Sequence, residues 1–352
     1  MKALVTGASG LIGSHLCEAL GAAGYRVRGT VRDAAKPGAL SEVSGDIEIV
    51  QARLEDIASL EAACHGVDLV FHCASNVKLW VRRKSESITM NETGTAHVLE
   101  AAKLARVKRF IHVSTCAVIK RSPLGSPLPN EQTPTTRENL IGIYERTKFM
   151  AERMALAANG HGMDVLIASP TAPIGARDVN LTPVGKLICA FLRGEIKSFA
   201  DTGLNVVDVR DVALGLILIA QKGRAGEKYI LGGENLRQIE FLKQLSELTG
   251  QPAPTRRISY RRAQSKAIMG EVRALFTGQE PEASWAAARS AKYPHWFSSD
   301  KARQELGYKP RPIAEALALA IDWFRANDAG ADGGSQQSGG LSGKRALRAA
   351  GR

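Results

Sequence analysis

A strand-like segment, a glycine-rich loop and a helical pattern follow one another at the beginning of the chain. The apolar run Ala3-Leu4-Val5 leads into Thr6-Gly7-Ala8-Ser9-Gly10-Leu11-Ile12-Gly13, and Leu16 and Leu20 follow at helical spacing. Gly7 permits a tight turn, Gly10 lets the backbone approach a diphosphate, and Gly13 lets the helix pack closely. Because the first N–H groups of a helix are unpaired and positive, they attract such an anion. The G-x-x-G-x-x-G loop therefore predicts a diphosphate-binding strand–loop–helix unit.

The first half of the chain alternates strand-like and helix-like segments. Apolar runs typical of strands lie at 2–6, 27–31, 47–50, 68–73, 109–115 and 163–168. Helical patterns lie near 12–23, 56–64, 86–106 and 140–159. This alternation predicts an α/β fold, a Rossmann-type doubly wound parallel sheet with helices on both faces. Ligands of such sheets bind beyond the carboxyl ends of the strands, so the glycine loop and Val113-Ser114-Thr115 are expected on one side.

From residue 170 onward, prolines and glycines divide the chain into shorter elements. Helical patterns lie near 183–193, 211–221, 236–249, 263–276, 298–306 and 312–326. We therefore expect a nucleotide-binding Rossmann domain at 1–169 and a smaller substrate lobe at 170–326, interleaved with it. The Gly/Ser/Gln-rich end at 327–352 predicts a disordered tail. A proline-rich loop at 122–130 is expected to overhang the site.

Composition indicates the class of protein. The 352 residues are 44% apolar and 23% charged, as in soluble globular proteins. Five cysteines without C-x-x-C pairing indicate a reducing compartment. The start of the chain has no apolar signal segment, and no apolar run approaches the ~20 residues of a membrane span. We expect a cytoplasmic protein without a transmembrane segment.

The formal charge of +12 raises the question of nucleic-acid binding. Aromatic residues make up only 5%, and zinc-finger, RNP and basic-zipper patterns are absent, so we expect no nucleic-acid partner. The basic residues are spread out, with one local concentration at Arg256, Arg257, Arg261 and Arg262. A positive surface that attracts anionic cofactors or substrates accounts for them. The seven histidines form no H-E-x-x-H-like set and no G-x-S-x-G sequence occurs, so neither a metal site nor this hydrolase motif is predicted.

Tyr144 and Lys148 lie four residues apart on a segment with a helical pattern. This spacing places both side chains on one helical face. A phenol has a pKa near ~10, and a fixed neighbouring cation lowers that pKa. The pair therefore predicts an acid/base tyrosine activated by lysine, while an ordinary solvated helix face is the alternative.

Five motifs occur in the order found in extended short-chain dehydrogenase/reductases, and the chain resembles that family over residues 1–326. The motifs are Thr6 to Gly13, Phe71-His-Cys-Ala74, Asn91-Glu-Thr-Gly-Thr95, Val113-Ser-Thr115 and Tyr144-x-x-x-Lys148. Segments at 169–178, 201–205 and 228–235 are similar to bacterial hopanoid-associated sugar epimerases. The segment at 27–33 resembles the second strand of dihydroflavonol 4-reductases.

The resemblance implies roles for the matching residues. Tyr144 is expected to be the acid/base, and Lys148 to lower its pKa and to hold the nicotinamide ribose. Thr115 is expected to bind the substrate oxygen through its hydroxyl, and Asn91 to support a proton-relay water. Ser114 is the alternative to Thr115 for this role. The two side chains point to opposite faces of a strand, so we expect only one of them to bind the substrate oxygen.

The resemblance also implies the positions that hold the cofactor. They are Gly7, Ser9, Gly10, Leu11, Ile12, Gly13, Arg32, Lys36, Leu54, Ala74, Tyr144, Lys148, Pro170 and Thr171. Arg32 and Lys36 after the second strand favour NADP(H), because arginine accommodates a 2′-phosphate. Asp33 leaves NAD(H) open, since an acidic residue there binds the ribose hydroxyl. Arg53 stands where relatives commonly carry aspartate, so the usual adenine contact is in doubt.

The function expected from these residues is hydride transfer at a carbonyl/hydroxyl pair of a small-molecule substrate, with NADP(H) as cofactor. The alternative is an NAD-dependent nucleotide-sugar epimerase of the hopanoid-associated type. Dehydration is disfavoured, because Thr115 is followed by Cys116-Ala117 rather than by the acidic pair of the dehydratases. A non-catalytic NADP(H)-sensing protein is the hypothesis from another class. A homodimer is an open alternative to a monomer.

Overall fold

The computed structural model describes residues 1–81, 83–277 and 285–327. The strands are β1 Lys2–Thr6, β2 Arg26–Val31, β3 Ile47–Gln51, β4 Leu69–His72, β5 Arg109–Val113, β6 Asp164–Pro170, β7 Ala172–Ile174, β8 Ser198–Ala200, β9 Gly203–Asp208, β10 Lys228–Leu231, β11 Glu234–Arg237 and β12 Arg256–Ile258. The α-helices are α1 Leu11–Ala22, α2 Ile57–Cys64, α3 Lys84–Ile88, α4 Gly94–Leu104, α5 Ile143–Ala157, α6 Pro183–Leu192, α7 Val209–Lys222, α8 Gln238–Thr249, α9 Tyr260–Thr277, α10 Trp285–Ser290, α11 Asp300–Leu306 and α12 Ala314–Ala326.

Seven strands form one parallel sheet in the order β3-β2-β1-β4-β5-β6-β10. The chain builds outward from β1 in one direction and then returns to build from β4 in the other. The order therefore reverses between β1 and β4, which is where ligands of such sheets bind. The predicted doubly wound parallel sheet is confirmed.

Helices cover both faces of this sheet, because its central strands β1, β4, β5 and β6 are buried on both sides. On one face the core contains Leu16 and Leu20 of α1 together with Leu216 of α7. On the other face it contains Leu60 of α2 and Val98 of α4. Strands buried on both faces lack the alternating pattern of a half-exposed sheet, which explains the continuous apolar runs in the sequence.

The second half of the chain both completes the large sheet and forms smaller units. From it, β10 pairs with β6, and α7 packs against α1. A three-stranded sheet β11-β9-β7 and a two-stranded sheet β12-β8 lie outside the large one. A separate core joins α6, α8 and α12. The division into domains at residue 169 stays a prediction, and the predicted tail falls, from residue 328, outside the described residues.

The segment predicted as one helix at 86–106 is divided. A π-helical turn at Thr89–Thr93 separates α3 from α4 and contains Asn91. Hydrophobic spacing continues through such a turn, so the sequence pattern did not reveal it; π-turns are frequent at functional sites. The short helix α10 was also not predicted. In the part of the chain that the structure describes, no helix is both long enough and apolar enough to cross a bilayer.

Candidate active site

The predicted site residues assemble beyond the carboxyl ends of β1, β4 and β5. These strands are adjacent and parallel, so Thr6, His72 and His112 lie side by side in register. The glycine loop follows β1, Ala74 follows β4, and Thr115 follows β5. Three sequence motifs that are distant along the chain therefore meet at one edge of the sheet.

Each glycine of the loop has a distinct structural reason. Gly7 has φ +69, and a Cβ there would lie 2.7 Å from the Cα of Ala74. A Cβ on Gly13 would lie 2.2 Å from the carbonyl oxygen of Gly7. At Gly10, by contrast, the nearest described atom to an added Cβ is the Gly7 carbonyl oxygen at 3.5 Å. The protein thus closes around Gly7 and Gly13 and leaves space over Gly10, as a diphosphate requires.

The N-terminus of α1 faces this space. Its N-cap is Gly10, which offers no side chain to cap the first N–H groups. Those groups form a positive end that a diphosphate can satisfy. Leu11 is buried and Ile12 is half-buried beneath the loop. The residues present therefore fit a dinucleotide at this position.

The segment after β2 lies against the glycine loop. The N–H of Ala39 donates to the carbonyl oxygen of Ser9 at 3.2 Å. Arg32 and Lys36 are exposed there, and among the described residues neither side chain has a hydrogen-bond or ion-pair partner. The Asp33 carboxylate accepts the N–H of Ala35 at 3.0 Å, within its own turn. Two unpaired cations and one engaged carboxylate thus border the diphosphate space.

The other predicted cofactor positions are also at this edge of the sheet. Leu54 packs against Gly94 of α4, and its carbonyl oxygen accepts the Nδ1–H of His97 at 2.8 Å. Pro170 ends β6, and the N–H of Thr171 donates to the carbonyl oxygen of Leu231 at 3.2 Å. These contacts fix the backbone at the predicted positions.

The structure distinguishes Ser114 from Thr115. The Ser114 hydroxyl donates to a carboxylate oxygen of Glu152 at 2.6 Å, on the buried side. The Thr115 hydroxyl lies close enough to the Tyr144 phenol to lower its pKa, and it accepts the N–H of Ala117 at 3.2 Å. Because the Ser114 hydroxyl is already hydrogen-bonded, Thr115 is the freer of the two, and its action with the tyrosine stays a prediction.

The electrostatics of the Tyr–Lys pair differ from the expectation. Burial raises the pKa of Tyr144 to about 12, against the lowering that the nearby Thr115 hydroxyl provides. Glu145 next to it also raises this pKa. The Lys148 ammonium donates to the carbonyl oxygen of Val113 at 2.7 Å, and it is not among the groups that lower the phenol's pKa. The pKa of the phenol is therefore raised by burial, and Lys148 does not contribute the lowering that was expected.

Lys148 is itself buried, with 2% of its surface exposed. Burial lowers its pKa to about 8, and the carboxylate of Glu152, one turn further along α5, opposes that change. Glu152 also forms an ion pair with Lys228 at the start of β10. The protonation of Lys148 near neutral pH thus depends on a buried carboxylate that the sequence reasoning missed. Its spacing of four residues after Lys148 was the available signal.

A buried chain of hydrogen bonds connects β1 with the region of Asn91. The Thr95 hydroxyl donates to the carbonyl oxygen of Asn91 at 2.6 Å, so its oxygen accepts from Nε2 of His72 at 3.0 Å. Burial lowers the pKa of His72 to about 3, so the ring is neutral. Nδ1 must then accept from the Thr6 hydroxyl, at 2.8 Å. One tautomer of His72 satisfies every partner.

The Asn91 side chain holds the segment after β4. Its oxygen accepts the N–H of Asn76 at 2.7 Å, and its amide donates to the carbonyl oxygen of Asn76 at 3.1 Å and to the Thr147 hydroxyl at 2.9 Å. Both amide hydrogens are therefore engaged by protein. The predicted support of a relay water by Asn91 stays a prediction.

Two contacts enclose the beginning of α5. Arg121, at the base of the proline-rich loop, forms an ion pair with Glu145 beside the tyrosine. An added Cβ on Gly142 would lie 3.3 Å from the Cβ of Ala286 in α10. The second half of the chain thus reaches the start of α5 within two residues of Tyr144.

Within residues 1–81, 83–277 and 285–327, no group of three or more His, Cys, Asp or Glu side chains is placed to hold a metal. The five cysteines, all in the described part, are unpaired.

Comparison with known proteins agrees with the geometry. Residues 3–232 match the model of the NAD dependent epimerase/dehydratase family. The chain belongs to this family. It is an extended short-chain dehydrogenase/reductase, and its relatives are NAD(P)-dependent enzymes, so the chain is an enzyme of this class with a nicotinamide cofactor.

Individual relatives differ in their named activities. A Synechocystis protein assigned provisionally as a dihydroflavonol 4-reductase is 33% identical over 325 residues, covering 91% of this chain and 94% of that protein. Sterol demethylase protein B of Methylococcus capsulatus is 31% identical over 327 residues, covering 92% and 98%. The crystal structure of a nucleoside-diphosphate-sugar epimerase from Pseudomonas aeruginosa matches with a TM-score of 0.76 and 28% identity, covering 93% and 98%. These relatives establish the family and leave the substrate open.

Proposed function

We propose that the chain is an NADP(H)-dependent reductase, similar to dihydroflavonol 4-reductase, that converts a carbonyl of a small molecule into a hydroxyl. The observation that carries the proposal is that Thr115, which follows β5, lies beside Tyr144, while Lys148 donates to Val113 at the end of β5, on the side of the glycine loop. A bound nicotinamide nucleotide supplies the hydride in such a reaction.

The protein's own groups supply the proton. With its pKa raised to about 12, Tyr144 is protonated at neutral pH and suited to donate to the oxygen of a carbonyl as that oxygen gains charge. Thr115 orients the same oxygen through its hydroxyl. Lys148 would hold the nucleotide ribose with the N–H donors that Val113 does not take. A phenol that keeps its proton is in the form that the reduction of a carbonyl requires.

The preference for NADP(H) is supported by charge. Arg32 and Lys36 are exposed and unpaired within the described chain, whereas the Asp33 carboxylate is engaged in its own turn. A 2′-phosphate gains from two cations, and the exposed Asp33 carboxylate, one of whose oxygens accepts the N–H of Ala35, opposes part of that gain.

Calorimetry with NADPH and NADH tests this cofactor assignment. We expect tighter binding of NADPH, and Arg32→Asp to weaken NADPH by about tenfold or more while NADH changes little. Arg26→Asp, at an exposed arginine that begins β2, is the matched control. Tighter binding of NADH by the unmodified protein would refute the assignment.

A nucleotide-sugar epimerase of the hopanoid-associated type is the second candidate. The resemblance of the Pseudomonas epimerase over almost the whole chain supports it. An epimerase returns the hydride to the same substrate and so retains its cofactor. Mass spectrometry of the purified protein separates the two: retained NAD supports the epimerase, and exchangeable NADP(H) supports the reductase. A cytoplasmic location and a homodimer stay predictions.

A further inference from the structure

Helix α9 carries a stripe of large apolar side chains that are exposed to solvent. Ile268, Met269, Val272 and Phe276 are 48%, 68%, 49% and 87% exposed. Their positions i, i+1, i+4 and i+8 place them on one face of the helix, which we call the α9 stripe. Single exposed apolar residues are ordinary, but four on one helical face form a continuous patch of the kind that marks an interaction site.

The opposite face of α9 is fixed to the protein. Ala267 and Ala274 are buried, and the Glu271 carboxylate accepts the N–H of Trp285 in α10 at 2.7 Å. The Tyr260 hydroxyl donates to the carbonyl oxygen of Arg289 at 3.3 Å. Contacts at both ends of α9 therefore hold it against α10 and direct the stripe outward.

Arginines border the stripe. Successive residues of a helix are rotated by about 100°, so the stripe covers roughly 100° of the helical circumference. Arg262 and Arg273 lie within about 40° of one edge of the stripe. Arg261 lies at the N-terminal end of the same face. All three are exposed and, among the described residues, without an ion-pair partner. Glu271 is the only acidic residue of α9, and it is engaged toward α10.

An apolar stripe bordered by unpaired cations is the pattern of a helix that lies in the surface of an anionic bilayer. We propose that α9 docks on an anionic lipid surface, with the stripe among the headgroups and the arginines on lipid phosphates. The 18 residues of α9 provide a flat contact about 27 Å long. Arg256 of β12, exposed just before the helix, adds a further cation.

A second copy of the chain fits this face less well. A two-fold interface places the same patch against itself, so the arginines of one copy would meet those of the other. Like charges at such an interface repel each other, and α9 offers no free carboxylate to compensate. A small anion would use the arginines but would leave the stripe exposed. A bilayer surface satisfies both parts of the face.

Flotation of the full chain with lipid vesicles tests the proposal. We expect binding to phosphatidylcholine vesicles that contain about 30% phosphatidylglycerol, weaker binding to phosphatidylcholine alone, and a decline with added salt. Replacing Met269 and Phe276 by serine should weaken binding by about a hundredfold, since each large apolar group contributes about tenfold. Arg262→Gln with Arg273→Gln should weaken it by about 25-fold, at about fivefold for each cation.

Matched controls lie on distant elements. Leu104→Ser removes an equally exposed leucine from α4, and Arg26→Gln removes an exposed arginine from β2. Both should bind vesicles as the unmodified protein does, and all variants should retain nucleotide binding and their thermal transition. Failure of the unmodified chain to bind anionic vesicles, or equal binding by the α9 variants, would overturn the proposal. So would a dimer, seen by light scattering, that Phe276→Ser dissociates, because the stripe would then belong to a second copy.

Discussion

Replacing Glu152 by glutamine should shift the pH at which the enzyme loses affinity for its nucleotide. Glutamine has nearly the same shape but no charge, so it removes the group that raises the pKa of Lys148. Charges one helical turn apart, at about 6 Å and an effective dielectric constant of about 20, interact by about 3 kcal/mol. Lys228 screens part of this interaction, since it shares the carboxylate. We expect the Lys148 pKa to fall from about 8 to about 7 or below.

The direction in which nucleotide affinity changes with pH depends on which protonation form of Lys148 binds the nucleotide. The ammonium is present below its pKa, so affinity is full at low pH and is lost as pH rises through about 8 in the unmodified protein. At pH 7.5 the charged fraction would fall from about three quarters to about one quarter in Glu152→Gln. At pH 8.5 it would fall about eightfold, whereas at pH 6 Lys148 stays charged in about nine-tenths or more of either protein.

Nucleotide titrations at pH 6, 7.5 and 8.5, followed by fluorescence or calorimetry, measure this effect. Equal affinity at pH 6 shows that the variant is folded, and the difference should grow with pH. Glu100→Gln, at an exposed glutamate of α4, is the control, and Lys148→Met should remove the pH dependence. If Glu152→Gln and the unmodified enzyme have superimposable pH profiles, Glu152 does not govern the protonation of Lys148.

Three further outcomes are expected. Tyr144→Phe should lower turnover by about two orders of magnitude or more and leave nucleotide affinity intact, measured by steady-state kinetics once a substrate is identified; a fully active variant would contradict the mechanism. Thr115→Ser should keep much of the turnover and Thr115→Val should lose it, because the hydroxyl that meets Tyr144 is the group required. Gly10→Ala should keep the thermal transition but lose nucleotide affinity, since its added methyl occupies only the diphosphate space, whereas Gly13→Ala should lower the transition temperature by colliding with Gly7. Unchanged nucleotide affinity in Gly10→Ala would contradict the diphosphate assignment.

Local patterns determined much of the fold. Strands buried on both faces need apolar runs and helices need a 3.6-residue period, so the alternation along the chain predicted the parallel sheet. Close backbone contacts require glycine at Gly7 and Gly13. At Gly10 the structure leaves the space that the motif requires. The spacing of Tyr144 and Lys148 likewise placed both on α5.

Burial and partners that are distant along the chain determined the hydrogen bonds and pKa values of the site, because no local sequence pattern encodes them. Strand alternation left Ser114 and Thr115 as alternatives. Glu152, on another element, accepts a hydrogen bond from Ser114, and no local pattern predicted this contact. The raised pKa of Tyr144 and the lowered pKa of Lys148 both follow from burial that depends on how strands and helices pack around them. Lys228, 76 residues beyond Glu152, reaches that carboxylate only because β10 returns to the large sheet. Sequence alone thus predicted the catalytic groups, and the tertiary structure set their charge states, since desolvation and long-range charge pairing exist only in the folded chain.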